Sequence, residues 1–211
     1  MDNSARKDAG LIYNPGDPEL MKQQGDGLEL LFDFNATRPS QADERAALLE
    51  RMFASIGVGC YIEPPLRANW GGANVTVGDN VYANFNLTLV DDGPITIGDN
   101  VMFGPNVVVT SAGHPVLPEL RRRGAQYNLP VQIGDNVWIG SGVQIMPGVT
   151  IGENTVVGAG SVVTRDLPAN VVALGVPCRV IREIGEHDRT FYWRDRTFDL
   201  TVEQLSEMFG E

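Results

Sequence analysis

Residues 131–163 read VQIGDN VWIGSG VQIMPG VTIGEN TVVGAG SVV, with an aliphatic residue returning at every sixth position. The aliphatic anchors of this stretch are Ile133, Ile139, Ile145, Ile151, Val157 and Val163. Three residues after each anchor stands an asparagine, an aspartate or a glycine, at Asn136, Gly142, Gly148, Asn154, Gly160 and Asp166. The same six-residue spacing occurs upstream at Val77, Ala83 and Leu89 and again at Ile97, Phe103 and Val109, with a two-residue insertion at 91–93 between the two sets. The six-residue repeat therefore occupies two blocks of the chain, separated by a longer interruption.

A period of six with one turn residue in each period excludes an α-helix and a plain hairpin meander. Asparagine, aspartate and glycine adopt positive φ more readily than other residues, so each hexad is predicted to contain a tight turn. The alternative is an ordinary β-sandwich, but its strands recur every ~8–12 residues and alternate in polarity. The repeat instead predicts a mainly β chain folded as a prism-shaped parallel β-helix, with three hexads in each coil and the anchors pointing inward. The pattern does not determine the handedness of that helix.

The repeat divides the chain into three segments. Residues 1–60 are predicted to form an N-terminal helical segment, in which DPEL at 17–20 supplies an aspartate N-cap and a proline at the first helical position. Residues 61–182 form the predicted β-helix, and a long extruded loop at 110–130 leaves it where the phase is lost. Residues 183–211 are charged with scattered aromatic residues, and are predicted to form a short C-terminal extension with one helix.

Composition narrows the class of protein. The 211 residues fit one domain with short appendages, and 43% hydrophobic residues suffice for a core. Sixteen lysines and arginines against 27 aspartates and glutamates leave a net charge of −11, which argues against nucleic acid as a partner. No apolar run approaches the ~20 residues of a membrane helix, and the polar start is unlike a signal peptide, so we expect a soluble cytoplasmic protein without a membrane partner. Cys60 and Cys178 match no metal-ligand spacing.

His114 is the strongest candidate for chemistry. It is one of two histidines and lies in the long loop that interrupts the repeat. Long loops on regular scaffolds often carry function, and a neutral imidazole is suited to accept a proton from an alcohol near pH 7. On position alone, a surface histidine without a role explains His114 equally well. His187 lies in a charged segment and is predicted to be solvated.

Turn residues and arginines form two further groups of candidates. Asn84 and Asp92 fall where turns are predicted to face outward, and Asp17 is a predicted helix cap, so structural roles explain all three. Three arginines lie in the last coil and just after it, at Arg165, Arg179 and Arg182. Guanidinium groups match the oxygens of phosphate, and ordinary surface charge is the alternative interpretation.

Several motifs together resemble one family. They are YANFNLT at 82–88, VDD at 90–92, GHPV at 113–116, IGDNVWIGS at 133–141, PGVTIG at 147–152 and GVPCRV at 175–180. With Tyr13, DPEL at 17–20 and the Phe34-Asn35 pair, they resemble the maltose/galactoside O-acetyltransferase family of hexapeptide-repeat acetyltransferases, in particular its thiogalactoside acetyltransferases. The resemblance covers nearly the whole chain. It implies a left-handed β-helix and an enzyme that moves acetyl from acetyl-coenzyme A to a hydroxyl of a galactoside, glucoside or maltose.

The resemblance also implies roles for individual residues. His114 would be the general base that deprotonates the sugar hydroxyl for direct attack on the thioester. The residues implied to bind the acceptor are Asp17, Asn69, Asn84 and Asp92. The residues implied to bind coenzyme A are Trp138, Ser141, Ala159, Thr164, Arg165, Arg179 and Arg182. Acetyl-coenzyme A is the implied cosubstrate, no metal is required, and the implied assembly is a homotrimer with sites between subunits.

Three departures from the family pattern concern the acceptor. The segment around Asn69 is one residue longer than in the galactoside enzymes, and Gln126 replaces a methionine that lines the acceptor site there. The N-terminal aspartate, Asp17, aligns better with the maltose enzymes. An antibiotic-type O-acetyltransferase on the same fold and a non-enzymatic structural β-helix subunit are the alternatives. A γ-type carbonic anhydrase shares the fold but needs three zinc histidines, whereas this chain has two.

Overall fold

The computed structural model describes residues 1–209. Its helices are α1 (Asn3–Asp8), α2 (Pro18–Ala36), α3 (Ala42–Met52), α4 (Pro118–Arg121), α5 (Glu186–Thr190) and α6 (Val202–Phe209). The strands of the first three coils are β1 (Ser55–Ile56), β2 (Tyr61–Ile62), β3 (Arg67–Ala68), β4 (Val75–Val77), β5 (Tyr82–Ala83), β6 (Thr88–Val90), β7 (Ile95–Ile97), β8 (Met102–Phe103) and β9 (Val108–Thr110). The loop carries β10 (Ala112–Gly113) and β11 (Tyr127–Asn128). The remaining strands are β12 (Val131–Ile133), β13 (Trp138–Ile139), β14 (Gln144–Ile145), β15 (Thr150–Ile151), β16 (Val156–Val157), β17 (Val162–Val163), β18 (Val171–Leu174), β19 (Arg179–Glu183), β20 (Phe191–Trp193) and β21 (Arg196–Thr197).

Three parallel sheets form the faces of a prism. Their strand orders are β1-β4-β7-β12-β15, then β2-β5-β8-β13-β16-β18 with β19 added antiparallel, then β3-β6-β9-β14-β17. Each coil contributes one strand to each face, and Ile133 of β12 pairs with Ile97 below it and with Ile151 above it. This arrangement confirms the parallel β-helix that the hexads predicted.

The anchors fill the interior of the prism. Ile139, Ile145 and Ile151 are fully buried, whereas the residue before each of them points outward and is exposed. Burying one such side chain contributes about 1.5–3 kcal/mol, and the gain recurs with every hexad. The column of anchors is therefore the core of the molecule.

The turn residues lie at the corners of the prism, as predicted. Positive φ is adopted by Asn80, Asn86, Asn100, Asn106, Asn136, Asn154, Gly142, Gly148 and Gly160. The side chains also stack, since Asn136 Nδ2 donates to Asn154 Oδ1 at 2.9 Å and Asn154 Nδ2 donates to Asn170 Oδ1 at 3.0 Å. Asp92 and Asp166 stand at the same phase but do not take this conformation, because each lies beside an irregular part of the repeat.

Helices α2 and α3 close the N-terminal end of the prism. Their apolar faces join the same core as the anchors, through Leu31, Phe34, Leu48, Leu49 and Met52. At the other end β19 turns back antiparallel on β18, followed by α5, the β20–β21 hairpin and α6. None of the helices described is long and apolar enough to cross a membrane.

The loop at 110–130 leaves the prism between β9 and β12 without disturbing the register of the coils on either side. Within it, β10 and β11 pair antiparallel, and α4 forms the exposed tip. Backbone hydrogen bonds tie the loop to the N-terminal segment, since Tyr13 and Gln126 exchange N–H···O bonds of 2.9 and 3.1 Å. The loop is thus held from both sides.

Because the anchors point inward, substitutions at adjacent residues should change the free energy of unfolding by very different amounts. Ile151→Ala should lower the free energy of unfolding by about 2–5 kcal/mol, because it opens a cavity in the column of anchors. Thr150→Ala, whose side chain is exposed, should change it by less than about 0.5 kcal/mol. Denaturant unfolding followed by circular dichroism measures both values. Equal losses would contradict the inward placement of the anchors.

Candidate active site

His114 is held at the base of the loop by one hydrogen bond. It follows β10, its side chain is exposed, and its Nδ1 lies 2.8 Å from the backbone oxygen of Ala125. A carbonyl oxygen only accepts hydrogen bonds, so Nδ1 carries the proton and the neutral ring keeps its lone pair on Nε2. The contact thus fixes both the orientation and the tautomer of a proton acceptor.

The carbonyl reaches His114 because the loop folds back on itself. Gly113 of β10 stands opposite Tyr127 of β11, and the chain continues to His114 on one strand and back to Ala125 on the other. A Cβ on Gly113 would lie 2.8 Å from the far end of the Tyr127 ring, so glycine lets this ring pack against β10. The short antiparallel pair therefore determines where the imidazole stands.

Asp92 is the centre of a buried polar network beside this loop. Its Oδ1 accepts hydrogen bonds from Gln126 Nε2 at 2.8 Å and from Trp70 Nε1 at 3.3 Å. Its Oδ2 accepts one from Asn69 Nδ2 at 2.8 Å. The prediction that Asp92 faces outward is wrong, because the residue is 4% exposed and its carboxylate points at these three donors. Two residues of the expected acceptor site, Asn69 and Asp92, are in direct contact.

Sequence reasoning missed three buried polar groups next to this network. The carboxylate of Asp91 accepts hydrogen bonds from the N–H groups of Trp70 and Gly72 at 2.7 and 2.9 Å, and burial raises its pKa. Burial also raises the pKa of Tyr13 to about 12. The ammonium of Lys7, also buried, lies 4.8 Å from the centroid of the Trp70 ring. The two-residue insertion pointed to Asp91, but nothing local in the sequence indicated that Tyr13 and Lys7 are buried.

Asp17 and Asn84 lie in simpler surroundings. Asp17 is the N-cap of α2, and its carboxylate accepts hydrogen bonds from Asn3 Nδ2 and the Glu19 N–H, each at 3.0 Å. The bond from Asn3 makes the largest contribution to lowering the pKa of Asp17. Asn84 is half-buried, and its Oδ1 accepts from the Phe85 N–H at 2.8 Å. In residues 1–209, neither side chain is hydrogen-bonded to the Asp92 network.

Ser141 and Ala159 lie on neighbouring coils at one corner of the prism. The backbone oxygen of Ser141 accepts from the Gly160 N–H at 2.8 Å, and both Ser141 and Ala159 are exposed. A Cβ on Gly140 would lie 2.6 Å from the Ala159 nitrogen, so only glycine allows the coils to approach here. Trp138 on β13 points outward, as its position before an anchor predicts, and lines a cavity of about 400 Å³ with the C-terminal extension.

The last coil brings three of the expected coenzyme residues to one end of the prism. Thr164 and Arg165 are exposed directly after β17. The N–H of Cys178 donates to the Val162 oxygen at 2.8 Å, so the segment before Arg179 runs beside β17. The Arg179 guanidinium donates one hydrogen bond to the backbone oxygen of Cys178 at 2.7 Å, and the residue is exposed.

The expected site residues therefore fall into two groups. One group surrounds the loop and contains His114, Asn69 and Asp92, joined through Gln126. The other contains Ser141, Ala159, Thr164, Arg165 and Arg179 on the C-terminal coils. Across the part of the chain that the structure describes, no three His, Cys, Asp or Glu side chains cluster closely enough to hold a metal ion.

Comparisons with known proteins match this architecture along the chain. The maltose acetyltransferase hexapeptide capping motif matches residues 8–57, the hexapeptide repeat of succinyl-transferase matches 94–114, and the bacterial transferase hexapeptide matches 130–165. A galactoside O-acetyltransferase of Lactococcus lactis subsp. lactis is 53% identical over 189 residues, which are 90% of this chain and 91% of the relative. The chain belongs to the maltose/galactoside O-acetyltransferase family.

Solved structures agree with this membership. A galactoside acetyltransferase in complex with coenzyme A superimposes with a TM-score of 0.91 and 48% identity, over 95% of this chain and all of the other. A maltose O-acetyltransferase from Clostridium difficile 630 gives a TM-score of 0.86 and 44% identity, over 88% of this chain and 99% of the other. The matches confirm the predicted left-handed β-helix and the family resemblance, and this family member is an acyltransferase.

In this acetyltransferase, Arg182 forms an ion pair with a side chain of the same chain. Its two terminal nitrogens donate to the two carboxylate oxygens of Asp188 at 2.6 and 2.7 Å. The paired guanidinium lowers the pKa of Asp188 to about 2, and the pairing raises the pKa of Arg182. The fork of Arg182 thus holds α5 against β19 in the structure, and its coenzyme role stays a prediction.

The pair predicts a specific acid titration. Because the pKa of Asp188 is depressed from 3.8 to about 2, its stabilising contribution is complete above about pH 4 and is lost as the pH falls towards 2. Arg182→Ala should return the carboxyl titration of Asp188 towards 3.8, measured by carbon-13 NMR. Arg189→Ala, whose guanidinium pairs with Glu186 instead, is the matched control and should leave Asp188 unchanged. An ordinary titration of Asp188 in the unmodified enzyme would contradict the pairing.

Proposed function

We propose that this enzyme transfers acetyl from acetyl-coenzyme A to a hydroxyl of a sugar, with Nε2 of His114 as the general base. The observation that carries the proposal is the Nδ1–H···O bond from His114 to Ala125, because it leaves an exposed Nε2 lone pair beside the polar network of Asp92. Membership of a family whose solved member holds coenzyme A supports the choice of cosubstrate.

The proposed reaction is a direct transfer. Nε2 takes the proton of the acceptor hydroxyl as its oxygen forms a bond to the thioester carbon. The carbon–sulfur bond then breaks, and the coenzyme A thiolate leaves and receives the proton from the imidazolium. The Ala125 carbonyl stabilises the imidazolium formed between these steps, since it accepts from the opposite ring nitrogen.

The tetrahedral intermediate needs a donor for its oxyanion, and the Ser141 N–H is the proposed source. The N–H of Gly142 donates to the Pro105 oxygen at 2.9 Å and that of Gly140 to the Val157 oxygen at 2.8 Å. The Ser141 N–H between them donates to none of the described residues. It therefore has no competing acceptor among these residues.

The acceptor is proposed to bind on the loop side. Asn69 donates to Asp92, which is joined to the loop through Gln126. Asp92 is fixed by three donors and still has lone pairs on Oδ2 for a sugar hydroxyl. Asn84 and Asp17 complete the proposed set, with Asp17 contributing while it caps α2. Hydroxyl groups suit such carboxylate and amide partners.

Coenzyme A is proposed to lie along the C-terminal coils. Its phosphates would meet Arg165 and Arg179, and its pantetheine arm would run past Ser141 and Ala159, where glycines keep the surface low. Thr164 and Trp138 complete the proposed contacts.

We infer a homotrimer with sites between subunits, since an exposed apolar stripe on one prism face is available for burial between subunits. The stripe contains Tyr61, Tyr82, Met102 and Trp138.

Replacing the base tests the chemistry. His114→Ala should lower kcat about 10²- to 10⁴-fold while the Kd of acetyl-coenzyme A changes less than about twofold, because the base acts on the acceptor. His187→Ala, the other histidine, is the control and should retain full activity. Release of free thiol is measured with galactosides, glucosides, maltose and antibiotic acceptors. Full turnover by His114→Ala would refute the proposed mechanism, and turnover with antibiotics alone would refute the sugar acceptor.

Replacing an arginine tests the coenzyme site. Arg179→Ala should weaken coenzyme A binding about tenfold or more, since a charge-assisted hydrogen bond to phosphate is lost. Arg51→Ala removes an exposed arginine of α3 and should leave the Kd unchanged. Isothermal titration calorimetry with coenzyme A compares the two variants. Equal affinities would remove Arg179 from the proposed site.

A further inference from the structure

A cavity of about 390 Å³ lies between α2 and the outer face of the sheet that contains β3 and β6. On the helix side it is lined by Leu31, and on the sheet side by the half-buried side chains of Thr88 and Val90. Arg67 stands opposite Thr88 in the β3–β6 pair and points into the same space. The cavity therefore combines apolar walls with one cationic side chain.

Two hydrogen-bonded contacts fix α2 beside this cavity. At one end, the side-chain amide of Asn35 exchanges two hydrogen bonds of 2.8 Å with the backbone N–H and oxygen of Leu66. At the other end, Gln24 Nε2 donates to the backbone oxygen of Asn69 at 2.9 Å. Because the helix is tied on both sides of Arg67, the cavity is part of the fold and does not result from loose packing.

The guanidinium of Arg67 has no partner among residues 1–209. The four ion pairs found in these residues all involve other side chains. Arg67 is exposed, and it is the one charged residue that lines the cavity within the described part of the chain. A guanidinium stays charged at any working pH, and its planar set of donors matches a carboxylate. In a chain with a net charge of −11, this cavity thus favours an anion.

Asn69 connects the cavity to the proposed acceptor site. It lines the cavity, and its Nδ2 donates to Asp92 Oδ2 at 2.8 Å. The Asn69 N–H continues the ladder of β3 by donating to the Leu89 oxygen at 2.9 Å. Arg67 and Asn69 are thus alternate residues of extended chain on one face, with Cα atoms ~7 Å apart. That separation is close to the length of one sugar ring.

We propose that this cavity binds the substituent carried by an acceptor sugar, and that Arg67 selects acceptors in which the substituent is anionic. The chemical class is a glycoside whose aglycone is small, apolar and carboxylated. Its apolar part would lie against Leu31 and Val90, and its carboxylate would meet the guanidinium of Arg67. The inference rests on the proposed acetylation of a sugar, and it makes Arg67 a residue that determines specificity.

Two acceptors that differ only in charge test this selection. The para-carboxyphenyl and para-carbamoylphenyl β-galactosides have nearly the same size and leave every sugar hydroxyl free. We expect kcat/KM to be about tenfold higher for the carboxylate, mainly through a lower KM, since only the carboxylate forms charge-assisted hydrogen bonds with Arg67. Raising the ionic strength should reduce this preference, because salt screens exposed charges.

Arg67→Met is the decisive variant, because it keeps an unbranched apolar stem and removes the charge. The ratio of the two kcat/KM values should fall from about ten to about one, and a ratio is not affected by a loss of folded enzyme. Arg67→Lys keeps the charge without the planar fork and should retain part of the preference. Arg51→Met makes the same change at an exposed arginine of α3 and should leave the ratio unchanged.

Direct binding separates this inference from the proposed function. Calorimetry with the para-carboxyphenyl galactoside and no acetyl-coenzyme A should give a Kd about tenfold weaker for Arg67→Met than for the unmodified enzyme. Equal kcat/KM for the two acceptors in the unmodified enzyme, or a preference that survives in Arg67→Met, would overturn the inference. Benzoate that binds through Arg67 without competing with the galactoside would also overturn it, since the site would then serve a separate anion. Absence of acetyl transfer to both galactosides would instead contradict the proposed function, and the calorimetry would still decide the role of Arg67.

Discussion

The structure depends on coils that stack by backbone hydrogen bonds over a single column of buried aliphatic side chains. Ile97, Ile133 and Ile151 stand in register on successive coils, although the chain between the first two is twice as long as between the others. A shift of one residue within a strand would turn an anchor outward. Extra residues are therefore tolerated only at the corners. The additions after β3, β6 and β9 lie there, and they carry Asn69, Asp92 and His114 of the proposed site.

A stiff prism also explains why one short loop contact is enough to orient the proposed base. The loop begins after β9 and ends before β12, and both strands are bonded into the same stack of coils. Its ends are consequently fixed even though its tip is exposed. The β10–β11 pair then transmits this order to His114 through one carbonyl, so little additional structure is needed around the imidazole.

The N-terminal segment contributes more than a cap on the first coil. Helices α2 and α3 cover the apolar end of the column, as any solenoid requires. The residues before them reach the loop, where Tyr13 pairs with Gln126, and Asp17 faces Asn3 at the start of α2. One piece of chain thus caps the prism and also contributes to the proposed acceptor side.

The sequence alone determined the coiled architecture, because a period of six with a turn residue in each hexad is a local property. It can be recognised without knowing which strands pair with one another. The sequence also located His114 in the interruption, and the family motifs identified the chain as an acetyltransferase. The burial of Asp92, the pairing of Arg182 with Asp188 and the junction at Gln126 were decided only by tertiary structure. The first and third depend on groups from distant parts of the chain, such as Tyr13 and Gln126, and the second depends on a turn after β19. The residues next to a side chain in the sequence do not determine its hydrogen-bond partners.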